Sequence, residues 1–349
     1  MYYTFDCSTM TIDDLYKGVL AHSAKRNTVC SDHALTNFDK RLISNFEQYL
    51  KHANVSDLSY KEYKIPKTTT GYRTISEPNE TLKAIQTAIA KQLNDMVHTH
   101  DCCYAYVKGR SCKDAIIKHA QKNTKYFYKF DLKDFFTSIT ADIIKETFKQ
   151  IYPLCYLSSE SVNKLITIAC YKTGLPQGSP LSPILSNLIM IPFDYKMYYS
   201  IKHFDGVYTR YADDMLISFP KKFEIKFIEK IICKHLKQNN YYSIKLNTDK
   251  SRCGSINGSN WNLGLMLNKD RNITLGAKEK KRIKAMLNNF ILDFTNGNKW
   301  SIIETQSLQG TLNYFANIEH EYQQYVVKHF EKKYNCNIKE MFHNILHAS

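Results

Sequence analysis

The sequence predicts an α+β chain in which strands and helices alternate up to about residue 275 and helices alone follow. Two observations support this class. Between the first β-hairpin and that point, segments whose apolar residues have the period of a strand alternate with segments that have the period of a helix. Beyond it, Ile283 to Phe294 form one apolar stripe at helical spacing, and the segment from Ser307 to Lys333 is helical as well. Such interleaving favours a mixed core, with a separate helical domain after it.

The first half of the chain supplies the elements in order. Residues 1–55 are helical in pattern and contain no chemical signature. YKEYKIPKTTTGYRTISEP alternates and is broken around Gly71, which predicts a β-hairpin. TLKAIQTAIAKQL places its apolar residues at helical spacing, and KYFYKFDL is a strand that ends at Asp131. SPILSNLIMIPFDYKMYY is a helix that begins with a Ser-Pro pair.

The second half continues the alternation. YTRYADDMLISF sets two adjacent aspartates between apolar, strand-like runs, which predicts a hairpin. KKFEIKFIEKIICKHLKQ is an amphipathic helix, and YYSIKLNTDKS is a short strand with a turn. We find no internal repeat and no low-complexity linker.

Composition bounds the class of protein. The 349 residues suffice for about two domains, and 43% hydrophobic residues exclude global disorder. A formal charge of +15 favours a polyanionic partner, either nucleic acid or an anionic membrane surface. No apolar run approaches the roughly 18 residues of a membrane-spanning helix, and MYYTFDCSTM lacks a signal-peptide pattern. We therefore expect a cytoplasmic protein without a membrane partner.

Ten cysteines are scattered along the chain and form no Cys-x-x-Cys pair. Histidine pairs at zinc-finger spacing are also missing from the sequence. Without a secretion signal, we expect reduced thiols and no structural zinc.

The paired aspartates Asp213 and Asp214 need either open water or a cation, because neighbouring carboxylates repel each other. A solvated turn is one reading, since aspartate tolerates turn geometry. A third carboxylate, Asp131, lies at a strand end about 80 residues earlier. Three hard oxygen donors suit Mg²⁺, and two such ions support an in-line displacement at phosphorus. Spacing alone leaves both readings open.

Several ordered segments resemble one family. FDLKDFF, GLPQGSPLSPILSN and YTRYADD resemble the palm motifs of reverse transcriptases, and LNTDKSRC and NLGLML resemble the remaining palm motifs. KIPKTTTGYRTISEPNETLKAIQ is similar to the fingers of the bacterial branch that includes retron and group II intron enzymes. The resemblance covers roughly residues 60 to 270. It implies a right-hand polymerase fold with an antiparallel-sheet palm and an α-helical thumb. The implied boundaries are an N-terminal helical extension at 1–55, fingers at 56–125, a palm at 126–270 with finger and palm helices at 140–175, and a thumb at 271–349.

The resemblance also implies roles for individual residues. Asp131, Asp213 and Asp214 would be catalytic and hold two Mg²⁺ ions, whereas Asp134 does not match a metal ligand. Tyr211 would lie near the primer end. A further set would bind the incoming nucleotide: Phe136 against the sugar, Gln177 and Gly178 over the nucleotide and template base, Lys67 and Arg73 on the triphosphate, and Lys250 near the leaving pyrophosphate. The basic residues that would follow template–primer phosphates are Lys278, Lys280, Lys281, Arg282 and Lys284.

Departures from the family pattern narrow the expected biology. A retron enzyme carries an Asn-Ala-x-x-His motif and a Val-Thr-Gly motif, whereas this chain has DAIIKHA and NLGLML. Only about 75 residues follow position 275, so we expect neither a maturase region nor a nuclease domain. The chain therefore resembles the compact, defence-associated bacterial reverse transcriptases. This resemblance implies a noncoding RNA template, a DNA product, dNTP substrates and a role against phages.

Three alternative functions stay open, and so do two possible protein partners. The first is a divergent retron enzyme that makes a branched RNA–DNA, and the second is a catalytically idle RNA-binding scaffold. The third is synthesis primed by a tyrosine hydroxyl. A homo-oligomer or an accessory defence protein is a further open partner.

Overall fold

A computed structural model of the chain describes residues 35–67, 71–256, 260–262, 264–268, 270–298 and 300–347. Most of the N-terminal extension and the three threonines of the first hairpin lie outside the described residues. The chain divides into two compact units. The first comprises the residues up to Ala115 together with Lys122–Cys253, and the second comprises Ile116–Gln121 and the residues from Gly254 on.

The first unit is built from helices around a four-stranded sheet, with a separate two-stranded hairpin. Its helices are α1 (Asn37–His52), α2 (Glu80–Met96), the start of α3 (Cys112–Gln121), α4 (Phe135–Ser138), α5 (Ala141–Phe148), α6 (Ser159–Ala169), α7 (Ser182–Ile189), α8 (Ile191–His203) and α9 (Ile225–Gln238). Its strands are β1 (Tyr60–Pro66), β2 (Tyr72–Pro78), β3 (Tyr126–Lys133), β4 (Val207–Tyr211), β5 (Asp214–Phe219) and β6 (Lys245–Ser255).

The central sheet has the strand order β4-β5-β3-β6. β5 pairs antiparallel with both β3 and β4, so the hairpin of β4 and β5 lies beside the strand that carries Asp131. The β3 register sets Tyr126 opposite Phe219 and Phe130 opposite Met215. The apolar side chains of β3 and β5 are buried in one core with helices α5 to α9, which fixes the carboxyl end of β3 next to the turn between β4 and β5.

The first hairpin pairs β1 with β2 from Tyr60↔Pro78 to Pro66↔Tyr72. The residues of β1 are exposed or half-buried along its whole length, so this hairpin projects from the core. α2 follows it directly and is capped at its N-terminus by Asn79, whose side-chain oxygen accepts from the Leu82 amide. The predictions of a hairpin and of the helix after it are confirmed.

The second unit, apart from its part of α3, joins a small sheet to a helical bundle. The sheet strands are β7 (Asn260–Asn262), β8 (Leu265–Leu267) and β9 (Ile273–Leu275), and the helices are α10 (Ala277–Thr295), α11 (Ile302–Ile318), α12 (His320–Tyr334) and α13 (Ile338–Leu346). Phe290 of α10 is central, because its ring stacks on Phe342 at 4.9 Å and meets the edge of Trp300 at 5.0 Å. The apolar stripe of α10 faces this core.

The α+β class is confirmed, with differences at the ends of elements. β3 continues to Lys133, two residues past the expected end, and β6 is longer than the short strand expected. The helix expected from Ser182 is divided at Met190, because Pro192 lacks an N–H group and therefore begins a new helix rather than continuing the old one. The last helical segment is likewise two helices, α11 and α12, joined at Glu319.

Among the described residues, no helix combines the length and apolar character needed to cross a membrane. Seven described cysteines carry free thiols, and three of them are Cys102, Cys103 and Cys170. Cys155 is disulfide-bonded, so the expectation of reduced thiols throughout is wrong at that position.

Candidate active site

The two adjacent aspartates lie in a tight turn. Tyr211 ends β4 and pairs with Asp214, which begins β5, so only Ala212 and Asp213 form the turn. Ala212 has φ of +58°, in the left-handed region that is unfavourable for a residue with a Cβ atom. A short turn with this backbone needs support from its surroundings.

Asp213 and Asp131 are close neighbours. The carboxyl of Asp131 interacts with that of Asp213 both by charge and by a hydrogen bond. Burial first, and then repulsion from Asp131, raise the pKa of Asp213 to about 6. A buried and a half-buried carboxyl that repel each other are hard oxygen donors, and a divalent cation bound between them would remove that repulsion. The donor set therefore fits Mg²⁺.

Asp214 is held differently. The β3–β5 register, continued by one residue, sets Asp214 opposite Asp131. Its carboxylate forms an ion pair with Lys129 of β3, with Nζ 2.9 Å from Oδ1. Lys250 of β6 similarly lies 3.0 Å from Oδ2 of Asp131, and this hydrogen bond raises the pKa of Lys250. A lysine thus neutralises each of these two carboxylates. Among the described residues, no three His, Cys, Asp or Glu side chains form a metal-binding group.

A buried ion pair lies directly behind the turn. Arg210 of β4 and Asp194 of α8 are both 0% exposed. Nε and Nη2 of Arg210 donate to the Asp194 carboxylate at 2.7 to 3.0 Å, and the Tyr208 hydroxyl donates to the same carboxylate at 2.9 Å. The remaining nitrogen, Nη1, donates to the Ala212 carbonyl at 3.1 Å. The guanidinium therefore connects helix α8 to the first residue of the turn.

The same arginine organises a neighbouring chain segment. Nη1 also donates to Oδ1 of Asn187 at 3.0 Å, and Nδ2 of Asn187 donates to the Ala105 carbonyl at 2.8 Å. The Arg210 amide donates to the Cys102 carbonyl, and the Tyr104 amide donates to the Arg210 carbonyl. Residues 102–105 are thereby fixed beside β4, next to the turn.

The Gln177–Gly178 segment rests against the first hairpin. The Ser76 amide of β2 donates to the Gln177 carbonyl at 2.7 Å. Gly178 has φ of +117°, and a Cβ atom there would lie 2.7 Å from the Ser76 carbonyl oxygen. Glycine is needed because of both the backbone angle and this close approach. Oε1 of Gln177 is buried and accepts no hydrogen bond from any described residue.

Gln86 of α2 stabilises this segment by hydrogen bonds from the buried side. Its side chain is fully buried. Its Nε2 donates to the Ile168 carbonyl at 2.9 Å and to the Tyr60 hydroxyl at 2.8 Å, and its Oε1 accepts from Ser179 at 2.8 Å. One amide thus joins the hairpin, helix α6 and the Gln177–Gly178 segment.

Phe136 is connected to the same segment through its backbone. Its carbonyl accepts from the Leu175 amide at 3.1 Å. A Cβ atom at Gly174 would lie 2.4 Å from the Thr137 carbonyl oxygen, so the backbone segments at Gly174 and Thr137 are in close contact. The half-buried Phe136 ring follows Asp131 by five residues and lies in the short helix α4, just after β3 ends. Asp134, between them, is exposed with φ of +47°.

The two basic residues of the hairpin are exposed. Arg73 pairs with Ile65, and the Lys67 amide closes the hairpin by donating to the Gly71 carbonyl at 2.9 Å. Tyr106 lies within electrostatic range of both Arg73 and the turn. Burial raises the pKa of Tyr106, the charge of Asp213 adds to that increase, and the charge of Arg73 opposes it. No described contact links Lys67 to the carboxylates.

The basic residues at the start of α10 belong to the second unit. Lys278 and Lys281 are exposed. Lys280 pairs with Glu319 at 2.6 Å, and Arg282 pairs with Glu279 at 2.5 Å. Lys284 lies over the ring of Tyr322. Two of the five positive charges are thus balanced by carboxylates within the unit.

Sequence reasoning did not identify Arg210, Asp194, Asn187, Gln86 or Tyr106. A signal existed for the ion pair. An arginine immediately before YADD, in an otherwise apolar strand, has to find a buried acid, and IPFDYKM contains an aspartate within an apolar helix. Gln86 and Tyr106 had no such signal, because their partners are distant in sequence.

The α+β fold, the carboxyl pair at β3 and the turn, and the Gln177–Gly178 segment held against the first hairpin together fit a nucleic-acid polymerase of the right-hand type. The family described as "Reverse transcriptase (RNA-dependent DNA polymerase)" matches residues 65–294. The chain belongs to the reverse transcriptase family, and it is an RNA-directed DNA polymerase. The predicted activity and fold class are confirmed.

Several similar proteins are retron enzymes. The chain is 30% identical over 284 residues to the retron Ec83 reverse transcriptase of Escherichia coli, covering 79% of this chain and 86% of that protein. It is 31% identical over 253 residues to the retron Ec73 reverse transcriptase of Escherichia coli, covering 69% and 80%. The predicted membership of the bacterial, retron-like branch is confirmed, although the two expected retron motifs are altered here.

Among solved structures, the chain is similar to a telomerase from Candida albicans in complex with a TWJ fragment of telomeric RNA. The TM-score is 0.48 at 14% identity, and the match covers 94% of this chain and 61% of that one.

We expect the Arg210→Met variant to lose about 3 to 5 kcal/mol of the free energy of unfolding, because Asp194 is left buried without its partner. Urea unfolding checks this value, and Arg210→Lys, which keeps the charge but loses the planar fork, is expected to lose less. The matched control is Lys149→Met, which removes the exposed ion pair with Glu146 and is expected to cost below about 1 kcal/mol. Equal losses for the two methionine variants would contradict the role of the ion pair.

We expect Gly178→Ala to lower kcat/KM for a dNTP by about tenfold or more, because the new Cβ atom pushes the segment away from Ser76. Steady-state primer extension measures the change. Gly109→Ala is the control, since Gly109 also has a positive φ, +77°, but a Cβ atom there would meet no heavy atom within 4 Å. A similar loss of activity in the control would attribute the effect to backbone strain alone.

Proposed function

We propose that this chain copies a partner noncoding RNA into DNA by nucleotidyl transfer with two divalent metal ions. The observation that supports this most directly is the hydrogen-bonded pairing of the buried Asp131 carboxyl of β3 with the half-buried Asp213 carboxyl of the turn between β4 and β5. The reverse transcriptase family generally uses divalent metal ions, and Asp131, Asp213 and Asp214 would hold two Mg²⁺ here. When bound, these ions activate the primer hydroxyl and stabilise the charge of the leaving pyrophosphate.

The chain itself would position the reacting groups. Arg210 keeps the turn in place through the Ala212 carbonyl, so that Asp213 faces Asp131 rather than solvent. Tyr211, at the end of β4, would contact the primer terminus. Lys129 and Lys250 hold the carboxylates of Asp214 and Asp131 in fixed orientations. In the complex with nucleotide, Lys250 would lie close to the leaving pyrophosphate.

The incoming dNTP would lie between the first hairpin and the catalytic carboxylates. The exposed Arg73 and Lys67 would bind the triphosphate, and a guanidinium does so with two parallel hydrogen bonds. The backbone at Gly178 would approach the base closely, and the unpaired Oε1 of Gln177 is an acceptor available to it. The Phe136 ring would clash with a ribose 2′-hydroxyl and so favour deoxynucleotides.

The assignment of domains and of the template–primer binding surface is proposed from the family. The proposed fingers, palm and thumb keep the boundaries given above, and the basic start of α10 would contact template–primer phosphates without reading sequence. Among the described residues of this segment, only Lys278 and Lys281 are exposed without a carboxylate partner. We therefore expect these two lysines to contribute most to the binding of template–primer phosphates.

The template is proposed to be a dedicated noncoding RNA of a retron-like system that acts in antiphage defence. The similarity to the retron Ec83 and Ec73 reverse transcriptases favours a retron-type product, in which DNA is joined to RNA through a 2′ linkage. This alternative therefore gains support over a defence enzyme unrelated to retrons. The intact carboxylate set argues against an idle scaffold.

We expect Asp213→Asn to reduce DNA synthesis at least about a hundredfold, because it removes negative charge where cations and the transition state need it. The assay supplies Mg²⁺, labelled dNTPs and a primed RNA template to the purified protein. Asp134→Asn is the control, since Asp134 is exposed near the same strand end and is expected to leave synthesis unchanged. Full activity of Asp213→Asn would refute the assignment of the catalytic site.

A second experiment tests the template and the role. Cells that express the protein with its neighbouring noncoding locus are expected to resist phage. They are also expected to contain an RNA–DNA species in which alkali cleaves the RNA linkages except the one at the 2′-branched nucleotide. Asp213→Asn is expected to remove both. A linear product alone would reject the retron-type product, and phage resistance that survives both Asp213→Asn and deletion of the locus would reject the defence role.

A further inference from the structure

Helix α12 of the second unit carries a row of aromatic rings that no step of polymerisation uses. The ring ladder consists of Tyr322, Tyr325 and His329, spaced three and four residues apart on one helix face. Tyr322 and Tyr325 have ring centroids 6.1 Å apart at an interplanar angle of 19°. Tyr325 and His329 have centroids 6.2 Å apart at 25°. The three rings are therefore nearly parallel.

The ladder is anchored at one end and open at the other. Tyr322 is half-buried, and the edge of its ring contacts the buried Phe315 at 5.8 Å. Tyr325 is 62% exposed, and His329 is exposed as well. The Tyr322 ring is covered in part by neighbouring side chains, whereas the exposed Tyr325 and His329 rings present apolar surface to water, which is the property of a binding surface rather than of a core.

Positive charge gathers at the anchored end. Lys280 of α10 lies 4.4 Å from the centroid of the Tyr322 ring, and Lys284 lies 5.3 Å from it. Glu319 pairs with Lys280 at 2.6 Å, which fixes that ammonium in place but reduces its net charge. Lys328, between Tyr325 and His329 in sequence, is exposed. The surface thus offers stacking faces beside cations.

This combination fits one class of ligand. Unpaired bases have two exposed π faces and stack on aromatic side chains whatever their identity, while nearby lysines attract the phosphates. Bases in a duplex keep those faces inside the helix and cannot use the ladder. A peptide or an anionic membrane lacks this pairing of flat rings and regularly spaced negative charge.

We propose that the ring ladder binds an unpaired segment of RNA, with bases stacked on Tyr325 and His329 and phosphates near Lys284 and Lys328. The ladder holds single-stranded RNA, in contrast to the sequence-independent contacts to template–primer phosphates at Lys278 and Lys281. The inference takes its choice of nucleic acid from the RNA template of the family and is independent of the catalytic assignments.

Binding of two labelled probes to the full chain tests the proposal. One is a 12-nucleotide oligoadenylate RNA, and the other is a blunt RNA duplex of 12 base pairs. Fluorescence anisotropy of Tyr325→Ala/His329→Ala is expected to show about ten- to hundredfold weaker binding of the single strand and unchanged binding of the duplex. Tyr325→Phe/His329→Phe keeps both rings and is expected to restore binding of the single strand.

Controls separate the alternatives. Tyr314→Ala removes another exposed ring, on α11, and is expected to leave both affinities unchanged. RNA that contains 4-thiouridine is expected to crosslink to the peptide holding Tyr325 and His329. Unchanged single-strand affinity in the double alanine variant, or an equal loss for the duplex, would overturn the proposal and leave the ladder as a contact for protein.

Primer extension by the wild-type protein is measured in parallel. Its failure, together with intact ladder-dependent binding, would reject the proposed polymerase mechanism and leave this inference standing. The reverse result would reject the ladder alone.

Discussion

The site depends on the buried ion pair between Arg210 and Asp194. Neither charge is exposed to water, and each is stabilised only because the other, together with Tyr208 and Asn187, satisfies its hydrogen bonds. The pair places one nitrogen on the Ala212 carbonyl, where the backbone adopts an unfavourable left-handed angle. Energy stored in a short, strained turn is therefore offset by a network in the core, and the position of Asp213 follows from that network.

The proposed nucleotide-binding part of the first unit is also held by buried contacts between distant chain segments. A single buried amide, Gln86, joins three chain segments that are distant in sequence, and two glycines, Gly174 and Gly178, allow backbones to approach where no Cβ atom fits. The Gln177–Gly178 segment is therefore fixed from both sides. Rigid support of this kind suits a reaction in which positioning supplies most of the catalysis.

Charge is distributed by the same logic. Asp131 and Asp214 each face a lysine, while partial burial and repulsion from Asp131 raise the pKa of Asp213. In the second unit, Glu279 and Glu319 balance two of the five basic residues of α10, and the Tyr322 ring of α12 lies beside Lys280 and Lys284. The formal charge of the chain thus overstates the positive charge available to bind phosphates. The aromatic rings add surfaces on which bases can stack, which charge alone does not provide.

The sequence by itself determined the fold class, the two hairpins and most of the helices, because local periodicity encodes them. Short motifs marked Asp131, Asp213 and Asp214 as candidates, and their resemblance to a known family added Gln177 and Gly178. The pairing of Asp214 with Lys129, of Lys250 with Asp131 and of Arg210 with Asp194 was decided only by the tertiary structure. These contacts join residues on different elements, and their energies come from burial and from the charges that the fold brings together, which no local pattern specifies.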